Sequence, residues 1–264
     1  MTYVRTDDFD VYYESHGEGP ALVLLHGGGG NHAAWWQQLP HFSKSYRVIT
    51  PDLPGFGLSK VNKGVYDTAL HPAAIEAVLD DAGVDRAFIV TQSLGGYGGL
   101  SYATSHPDRI AGIVMTSTLG PVGDEISDLN KIGRQSVQHL SVADFLLTKE
   151  FQEKQPEKVG LFFQIGSFNE TGPGRPTRMK NALIGSVGVQ QIRDAIEAGQ
   201  HVSVLEGGAD VMVYPPAYAR LRELLPEANV QLVEGAPHSD YWENPERFNA
   251  VIDEILARVY SPAA

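Results

Sequence analysis

The sequence has no cysteine among its 264 residues. This absence excludes disulfide bonds, thiolate metal sites and catalysis by a thiol nucleophile. The first residues alternate between polar and apolar side chains, and they lack the apolar core of a signal peptide. No segment approaches the roughly 18 consecutive apolar residues that a membrane-spanning helix needs. We therefore expect a cytoplasmic protein that does not bind membranes.

Positive charge is also scarce. The chain has 20 Lys and Arg residues against 32 Asp and Glu residues, which gives a formal net charge of −12. Nucleic acids and anionic membranes would be repelled by such a surface. The expected partner is a small-molecule substrate, and the sequence leaves open whether the chain forms a homodimer. At this length, one α/β domain with a full core is expected.

Short apolar runs recur along the chain and alternate with helical patterns. A pattern of this kind is typical of a mostly parallel sheet that helices cover on both faces. The N-terminal pair of strands is predicted to form a hairpin at the sheet edge. The sequence thus predicts an α/β fold with eight strands, at residues 3–5, 10–13, 21–25, 46–50, 87–90, 113–115, 202–205 and 230–233.

One long stretch, residues 119–200, has no convincing buried strand. Its helical segments are predicted to start near Ser141, which resembles an N-cap, and at Pro156, with a third over residues 189–198. We interpret this stretch as a helical lid inserted into the sheet domain. The predicted organisation is a core formed by residues 1–118 and 201–264 with a lid at 119–200.

Ser93 lies at the junction of a predicted strand and a predicted helix, within the sequence TQSLG at residues 91–95. So sharp a turn strains the backbone of its central residue, and it requires small residues two positions before and after. Thr91 and Gly95 meet that requirement. The first amides of the helix favour negative charge beside the serine. Ser93 is therefore a candidate nucleophile, although these five residues alone also fit an ordinary loop serine.

Four consecutive glycines, residues 27–30, follow the first buried strand. Their backbone N–H groups are not shielded by side chains, which suits an oxyanion hole. A phosphate-binding loop is a weak alternative, because the G-K-[ST] of a P-loop is absent. We expect the amide of Gly28 or Gly29 to act together with the amide of Leu94. His26, just before the glycines, is expected to fix the loop and not to be catalytic.

A serine nucleophile needs a base, and the base needs an acid that orients it. His238 follows the last predicted strand and Asp210 follows the strand before it. Parallel strands end at one edge of a sheet, so both should lie near Ser93. Two other acids are alternatives to Asp210. Asp240 is too close to His238 in sequence to reach it readily, and Asp124 follows a strand end occupied by Thr and Ser residues.

Taken together, these motifs resemble the α/β-hydrolase superfamily along the whole chain outside the lid. The chain departs from the usual pattern at Thr91, where Gly is common, and at residues 200–201, where a Pro is common. The resemblance implies acyl transfer by Ser93, His238 and Asp210 without a metal or cofactor, and a structural, non-catalytic Asp52. The motifs that carry it are His26-Gly27-Gly28, residues 52–59, Ser93 with its flanks, Asp210, His238 and residues 243–246.

The resemblance leaves the substrate open, because this fold hosts many reactions. The first hypothesis is a hydrolase of a small, largely apolar carboxylic ester or lactone. The second is a C–C bond hydrolase of diketo acids, which would need a carboxylate-binding arginine; Arg175, Arg178 and Lys180 are candidates. The third is a catalytically silent fold that only binds a ligand. The aromatic residues expected at the substrate pocket are Trp35, Phe145, Phe162 and Phe163.

Overall fold

The computed structural model describes residues 2–64, 66–169 and 181–260. A nine-stranded sheet forms its centre, with eight strands in the order β1-β2-β4-β3-β6-β7-β8-β9 and the two-residue β5 paired with β2. The path of eight strands agrees with the predicted sheet, and β5 is an addition to it. The strands are β1 (Thr2–Arg5), β2 (Phe9–His16), β3 (Ala21–Leu25), β4 (Arg47–Pro51), β5 (Lys60–Val61), β6 (Ala87–Gln92), β7 (Ile110–Thr116), β8 (His201–Gly207) and β9 (Asn229–Val233).

The sheet is antiparallel only at its N-terminal edge. Strand β2 pairs antiparallel with β1, β4 and β5, which confirms the predicted hairpin. The remaining neighbours, from β4 through β3, β6, β7 and β8 to β9, pair in parallel. The loops that follow β3, β6, β8 and β9 therefore leave the sheet at the same edge.

Strand β3 shows why both faces of the sheet need helices. Its five residues are all buried. Val23 and Leu25 belong to one apolar cluster, and Leu22 and Leu24 belong to another, because successive side chains of a strand point to opposite faces. Helices at residues 71–81, 95–105, 189–197 and 215–224 complete the first cluster, and helices at residues 39–42 and 245–260 join the second.

The helices account for most of the remaining chain. Within the described residues, none of them has the length and the apolar character needed to cross a membrane. Two short 3-10 helices also occur, at His32–Trp35 and Thr68–Leu70. The α-helices are α1 (Leu39–Phe42), α2 (His71–Asp81), α3 (Gly95–Ser105), α4 (Asp124–Ser136), α5 (Val142–Leu146), α6 (Lys149–Lys154), α7 (Pro156–Ser167), α8 (Val189–Glu197), α9 (Pro215–Leu224), α10 (Asp240–Glu243) and α11 (Pro245–Tyr260).

The region predicted to be a lid contains the helices that the sequence predicted near Ser141, Pro156 and residue 189. The Ser141 side chain accepts a hydrogen bond from the Asp144 amide and so caps α5. Helix α8 differs from the prediction in its role, since Ile192 and Ala195 are buried and the helix packs on α3 and β8. It covers the sheet as the crossover between β7 and β8, so the predicted lid boundary at residue 200 is too late.

Thr148, the N-cap of α6, joins the predicted lid to the core. Its amide donates to Glu243 Oε1 at 2.7 Å, and its hydroxyl donates to Glu243 Oε2 at 2.6 Å. Burial raises the pKa of Glu243 above its ordinary value, and these two donors partly offset that effect. A half-buried carboxylate of the core thus fixes the start of a lid helix.

Candidate active site

Ser93 lies in a strained turn between β6 and α3. Its φ is 47°, and only Ser93 and Ser117 have a positive φ among the described non-glycine residues. The Ser93 amide donates to the Thr116 carbonyl at 3.0 Å, which fixes the turn against β7. The turn also needs Gly95, because a Cβ there would lie 2.6 Å from the Leu25 carbonyl oxygen. Strain of this kind persists where the surrounding structure enforces it, and it is common at active sites.

His238 and Asp210 form a buried pair. Asp210 Oδ2 lies 3.0 Å from His238 Nδ1, and Asp210 Oδ1 lies 3.1 Å from it. The two residues are 3% and 7% exposed. A carboxylate facing Nδ1 keeps the proton on that nitrogen, so Nε2 is left as the basic atom. The amide of Met212 donates to Asp210 Oδ1 at 2.7 Å, and Gln92 Nε2 donates to the His238 carbonyl at 3.1 Å.

A cavity of about 460 Å³ brings these groups together. Ser93, His238, Gly28, Gly29 and Leu94 all line it. No hydrogen bond joins the Ser93 hydroxyl to His238 or to any other described residue. Catalytic hydrogen bonds are often long in structures without substrate and tighten only when the substrate is bound. Ser93 and His238 therefore share one cavity, and Asp210 is joined to the site through its contact with His238.

The glycine loop forms a tight turn beside Leu94. The Gly30 amide donates to the Gly27 carbonyl at 3.1 Å, and Gly29 has a φ of +87°, which favours glycine. A Cβ on Gly28 would lie 3.7 Å from Leu94 Cδ2, so the loop rests directly on the start of α3. Within the described chain, the amides of Gly28, Gly29 and Leu94 donate to no other residue. They are thus available as hydrogen-bond donors at the cavity wall.

His26 and Asp52 stabilise the loops around the site. His26 is buried, its Nδ1 donates to the Gly27 carbonyl at 2.8 Å, and its Nε2 accepts from the Leu53 amide at 3.0 Å. Burial lowers the pKa of His26, so the neutral ring is favoured. Asp52 accepts hydrogen bonds from the amides of His32 and Leu58 at 2.6 and 2.8 Å. Both residues are engaged structurally, in agreement with the roles expected from the sequence.

Asp240, one of the two alternative acids, is engaged by other residues. Asp240 forms an ion pair with Arg247 and accepts a hydrogen bond from Asn244 at 3.0 Å. Burial raises its pKa, and Arg247 counteracts this rise. Asp124 is the first residue of α4. The candidate carboxylate-binding residues Arg175, Arg178 and Lys180 lie outside the described residues.

Aromatic side chains form much of the cavity wall, but Trp35 is not one of them. Trp35 is 1% exposed, and its ring centroid lies 4.9 Å from that of Tyr241 and 6.2 Å from that of Phe248. It packs behind Tyr241, which does line the cavity. The prediction of Trp35 as a pocket residue is therefore wrong. The other three predicted aromatic residues lie on the cavity wall: Phe145, Phe162 and Phe163.

Arg134 on α4 is a cavity residue that sequence reasoning missed. It is the only side chain with a fixed charge on the described cavity wall, which has no Asp or Glu. Arg134 Nη2 donates to the Tyr97 hydroxyl at 3.0 Å, and no acidic residue of the described chain pairs with it. Asn130, one helical turn before Arg134, also lines the cavity, and its Oδ1 is buried without a hydrogen bond. The i, i+4 spacing of Asn130 and Arg134 is a signal that could have indicated a polar helix face.

The structure gives no sign of a metal-binding cluster in the part of the chain that it describes. No group of three or more His, Asp or Glu side chains has the geometry to hold a metal ion there. The site is instead composed of a serine hydroxyl, a histidine oriented by a carboxylate, and unpaired backbone amides. This combination defines a class of proteins that carry out nucleophilic acyl transfer.

Comparison with known proteins agrees with this class. The sequence pattern of the alpha/beta hydrolase fold matches residues 20–164, and the chain belongs to this family. A 2-hydroxy-6-oxo-6-phenylhexa-2,4-dienoate hydrolase of Burkholderia cepacia is 26% identical, over 95% of this chain and 92% of the relative. The chain is accordingly a hydrolase, an enzyme that acts on ester or related bonds.

Two solved structures illustrate how widely the fold is shared. A carboxylesterase from Bacillus subtilis superposes with a TM-score of 0.75 at 20% identity, covering 97% of this chain and 91% of the other. The enol-lactonase from Burkholderia xenovorans LB400 superposes with a TM-score of 0.73 at 20% identity, covering 97% and 100%. At such identities the likeness shows the fold alone.

Proposed function

We propose that this hydrolase cleaves a small carboxylic ester or lactone through an acyl-enzyme on Ser93. The observation that carries the proposal is the buried His238–Asp210 pair, whose histidine lines the same cavity as the strained Ser93. A buried carboxylate that faces Nδ1 fixes the tautomer and the orientation of the imidazole, so that Nε2 can accept a proton from the nucleophile. The fixed Ser93 turn keeps the nucleophile at the edge where that base lies.

The reaction proceeds in two half-reactions. Ser93 Oγ bonds to the carbonyl carbon while its proton passes to His238 Nε2, and the carbonyl π electrons move to the oxygen. Collapse of this intermediate breaks the C–O bond, and His238 gives the proton to the departing alcohol oxygen. Water then attacks the acyl-enzyme with His238 again as the base, which releases the acid and restores Ser93.

The unpaired amides supply the electrostatic part of the mechanism. The amide of Leu94, with that of Gly28 or Gly29, would donate to the oxyanion as its charge develops. Helix α3 begins at Gly95, so its N-terminal dipole favours the same negative charge. Removal of one such donor typically costs about 10²–10³ in kcat.

The cavity wall supports a substrate that is mainly apolar but carries an anionic group. Ring contacts join Phe162 to Trp242 at 5.2 Å and to Phe163 at 5.4 Å, so this part of the wall is aromatic. Arg134 and Tyr97 supply hydrogen-bond donors and the only fixed charge of the described wall. A carboxylate on the substrate would match this guanidinium, which has no acidic partner among the residues that the structure describes.

A second candidate is hydrolysis of a C–C bond next to a ketone in a diketo acid. Arg134 favours it, because such a substrate carries a carboxylate and the sequence hypothesis required an arginine near the site. The 26% identical relative from Burkholderia cepacia is named as a hydrolase of a 2-hydroxy-6-oxo-6-phenylhexa-2,4-dienoate, a compound with both a carboxylate and a ketone. Both candidates use the same nucleophile, base and oxyanion donors.

Labelling with a fluorophosphonate probe tests the shared mechanism. The wild-type protein should form a stoichiometric adduct on Ser93, detected by mass spectrometry of the digested protein. Ser93→Ala should form none, and Ser105→Ala, at the exposed end of α3, should react like the wild type. A folded wild-type protein that remains unlabelled would support the silent ligand-binding fold and exclude the enzymatic mechanism.

A substrate panel separates the two candidates. Carboxylic esters, lactones and a 2-hydroxy-6-oxo-dienoate should be compared by kcat/KM, with Ser93→Ala as the blank. Preference for esters or lactones supports the first proposal. Preference for the dienoate, with two acids as products, supports C–C hydrolysis.

A further inference from the structure

The glycine loop is held from outside by the C-terminal end of lid helix α7. Asn169, two residues beyond α7, is 1% exposed. Its Nδ2 donates to the Gly29 carbonyl at 2.6 Å, and its Oδ1 accepts from the Gly57 amide at 2.7 Å. One buried side chain thus joins the lid, the glycine loop and the loop that contains Gly57.

A second asparagine strengthens the same junction from the other side. Asn31 Nδ2 donates to the Ile165 carbonyl of α7 at 2.9 Å, and Asn31 Oδ1 accepts from the Ala33 amide at 3.0 Å. The backbone of α7 also approaches closely, since a Cβ on Gly166 would lie 2.9 Å from the Gly29 carbonyl oxygen. The end of this helix is therefore packed directly on the glycine loop.

The glycine loop needs such an external restraint. Consecutive glycines have the largest backbone freedom of any residues, so they lose the most entropy when they are fixed. A Cβ placed on Gly29 would meet no atom within 4 Å, so the space on that side of the residue is open. Its carbonyl, by contrast, is fixed by Asn169. Fixing this carbonyl restricts the rotation of the Gly29 backbone, and the direction of the neighbouring amides depends on that rotation.

We propose that Asn169 is a positioning residue for the oxyanion hole. It holds the peptide between Gly29 and Gly30, which adjoins the peptide carrying the Gly29 amide, so that the amide of Gly28 or Gly29 points at the developing oxyanion. The inference rests on the proposed acyl-transfer function. It assigns to the lid a part in transition-state stabilisation, in addition to forming the cavity wall.

A purely structural role for Asn169 predicts a different result. If Asn169 only anchored the lid, its loss would weaken the binding of ground state and transition state alike. A positioning role acts mainly on the transition state, so it lowers kcat with little change in KM. A trifluoromethyl ketone reports this difference because Ser93 adds to its carbonyl and forms an oxyanion. The methyl ketone of the same chain length reports ground-state binding.

The experiment compares the full-length wild type with Asn169→Ala and Asn169→Asp. The aspartate is nearly isosteric and still accepts from the Gly57 amide, but its ionised form has no donor for the Gly29 carbonyl. In both variants, kcat and the affinity for the trifluoromethyl ketone should fall about tenfold. This is a smaller effect than the loss of about 10²–10³ in kcat expected when an oxyanion donor itself is removed. KM and the affinity for the methyl ketone should stay within about twofold.

Thr148→Ala is the matched control, because it removes another lid-to-core hydrogen bond that does not reach the glycine loop. It should keep the wild-type ratio of the two ketone affinities. The proposal is overturned if both Asn169 variants keep the ratio of ketone affinities and kcat within about twofold of the wild type. It is also overturned if Thr148→Ala lowers the ratio as much as the Asn169 variants do. If Asn169→Ala does not fold, Asn169→Asp decides. A wild type that does not prefer the trifluoromethyl ketone contradicts the proposed function instead.

Discussion

Arg134 donates a hydrogen bond to the hydroxyl of Tyr97 at 3.0 Å, which links helix α4 of the predicted lid to helix α3. Tyr97 lies four residues after Ser93, about one helical turn away. The tyrosine is a neutral partner, so it orients the guanidinium without cancelling its charge. A positive group is thereby held on the wall of the cavity that contains the candidate nucleophile.

Arg134→Met should weaken the binding of anionic substrates selectively. The p-nitrophenyl half-ester of a dicarboxylic acid should show a KM about tenfold higher, as expected when one charge-assisted hydrogen bond is lost. The neutral p-nitrophenyl ester of equal length should change by no more than about twofold. Steady-state kinetics on the two substrates measures this difference.

Lys131→Met on the same helix is the control for the half-ester experiment. It removes an exposed charge that pairs with Asp128 and does not line the cavity, so both esters should be hydrolysed as by the wild type. Equal effects of Arg134→Met on the two esters would contradict a specific role of this charge.

Asp210→Asn should lower kcat by about 10²–10⁴, because an amide no longer enforces the proton on Nδ1 of His238. KM should change much less, since the overall shape of the cavity is retained. Asp240→Asn tests the alternative acid in the same assay. It breaks the ion pair with Arg247 and should affect the unfolding temperature more than kcat. The reverse order of the two kcat effects would assign the acid to Asp240.

The free energy of unfolding should fall as the pH decreases from about 6.5 towards 3. Burial lowers the pKa of His71 from 6.5 to about 3. Over this range the unfolded chain binds a proton that the folded chain does not, so stability is complete above pH 6.5 and is lost as the pH falls. The contribution is at most about 1.4 kcal/mol per pH unit.

His71→Gln should remove this part of the pH dependence. A glutamine oxygen can accept from the Tyr66 hydroxyl, which lies 3.0 Å from His71 Nε2. Urea unfolding at several pH values between 7 and 4 gives the slope for each protein. Identical slopes for wild type and variant would show that His71 does not contribute.

Two glycine substitutions should have opposite effects on stability. Gly95→Ala places a methyl group 2.6 Å from the Leu25 carbonyl oxygen, so it should destabilise the fold by about 1–3 kcal/mol. Gly160→Ala, exposed in α7 with no atom within 4 Å of the new Cβ, should stabilise it by up to about 1 kcal/mol. Thermal unfolding of both variants checks the signs, and a stabilising Gly95→Ala would contradict the close packing of α3 on β3.

The arrangement at the sheet edge could be predicted from the sequence because it depends on strand order and direction. Apolar runs such as β3 and β6 are recognisable as strands buried on both faces. Once the sheet is taken as parallel, the residues after each strand must emerge at one edge. This is why Asp210 and His238 were expected together, as the structure has them.

The cavity wall could not be predicted in the same way. Whether an aromatic side chain faces a cavity or the core depends on how its helix packs, and Trp35 faces the core. The pattern over residues 189–198 indicates a helix but not which layer it joins, and α8 covers the sheet. Arg134 was missed because α4 was not among the predicted lid helices, and the sequence does not show that its side chain reaches Tyr97.

The contact between Thr148 and Glu243 has a consequence for protein engineering. An exchange of the predicted lid for that of another enzyme would have to reproduce this contact. Here a graft without a hydroxyl at position 148 would leave the half-buried Glu243 carboxylate short of a donor, just five residues after His238. A chimaera should therefore retain Thr148, or replace Glu243 at the same time, if the scaffold is to tolerate a foreign lid.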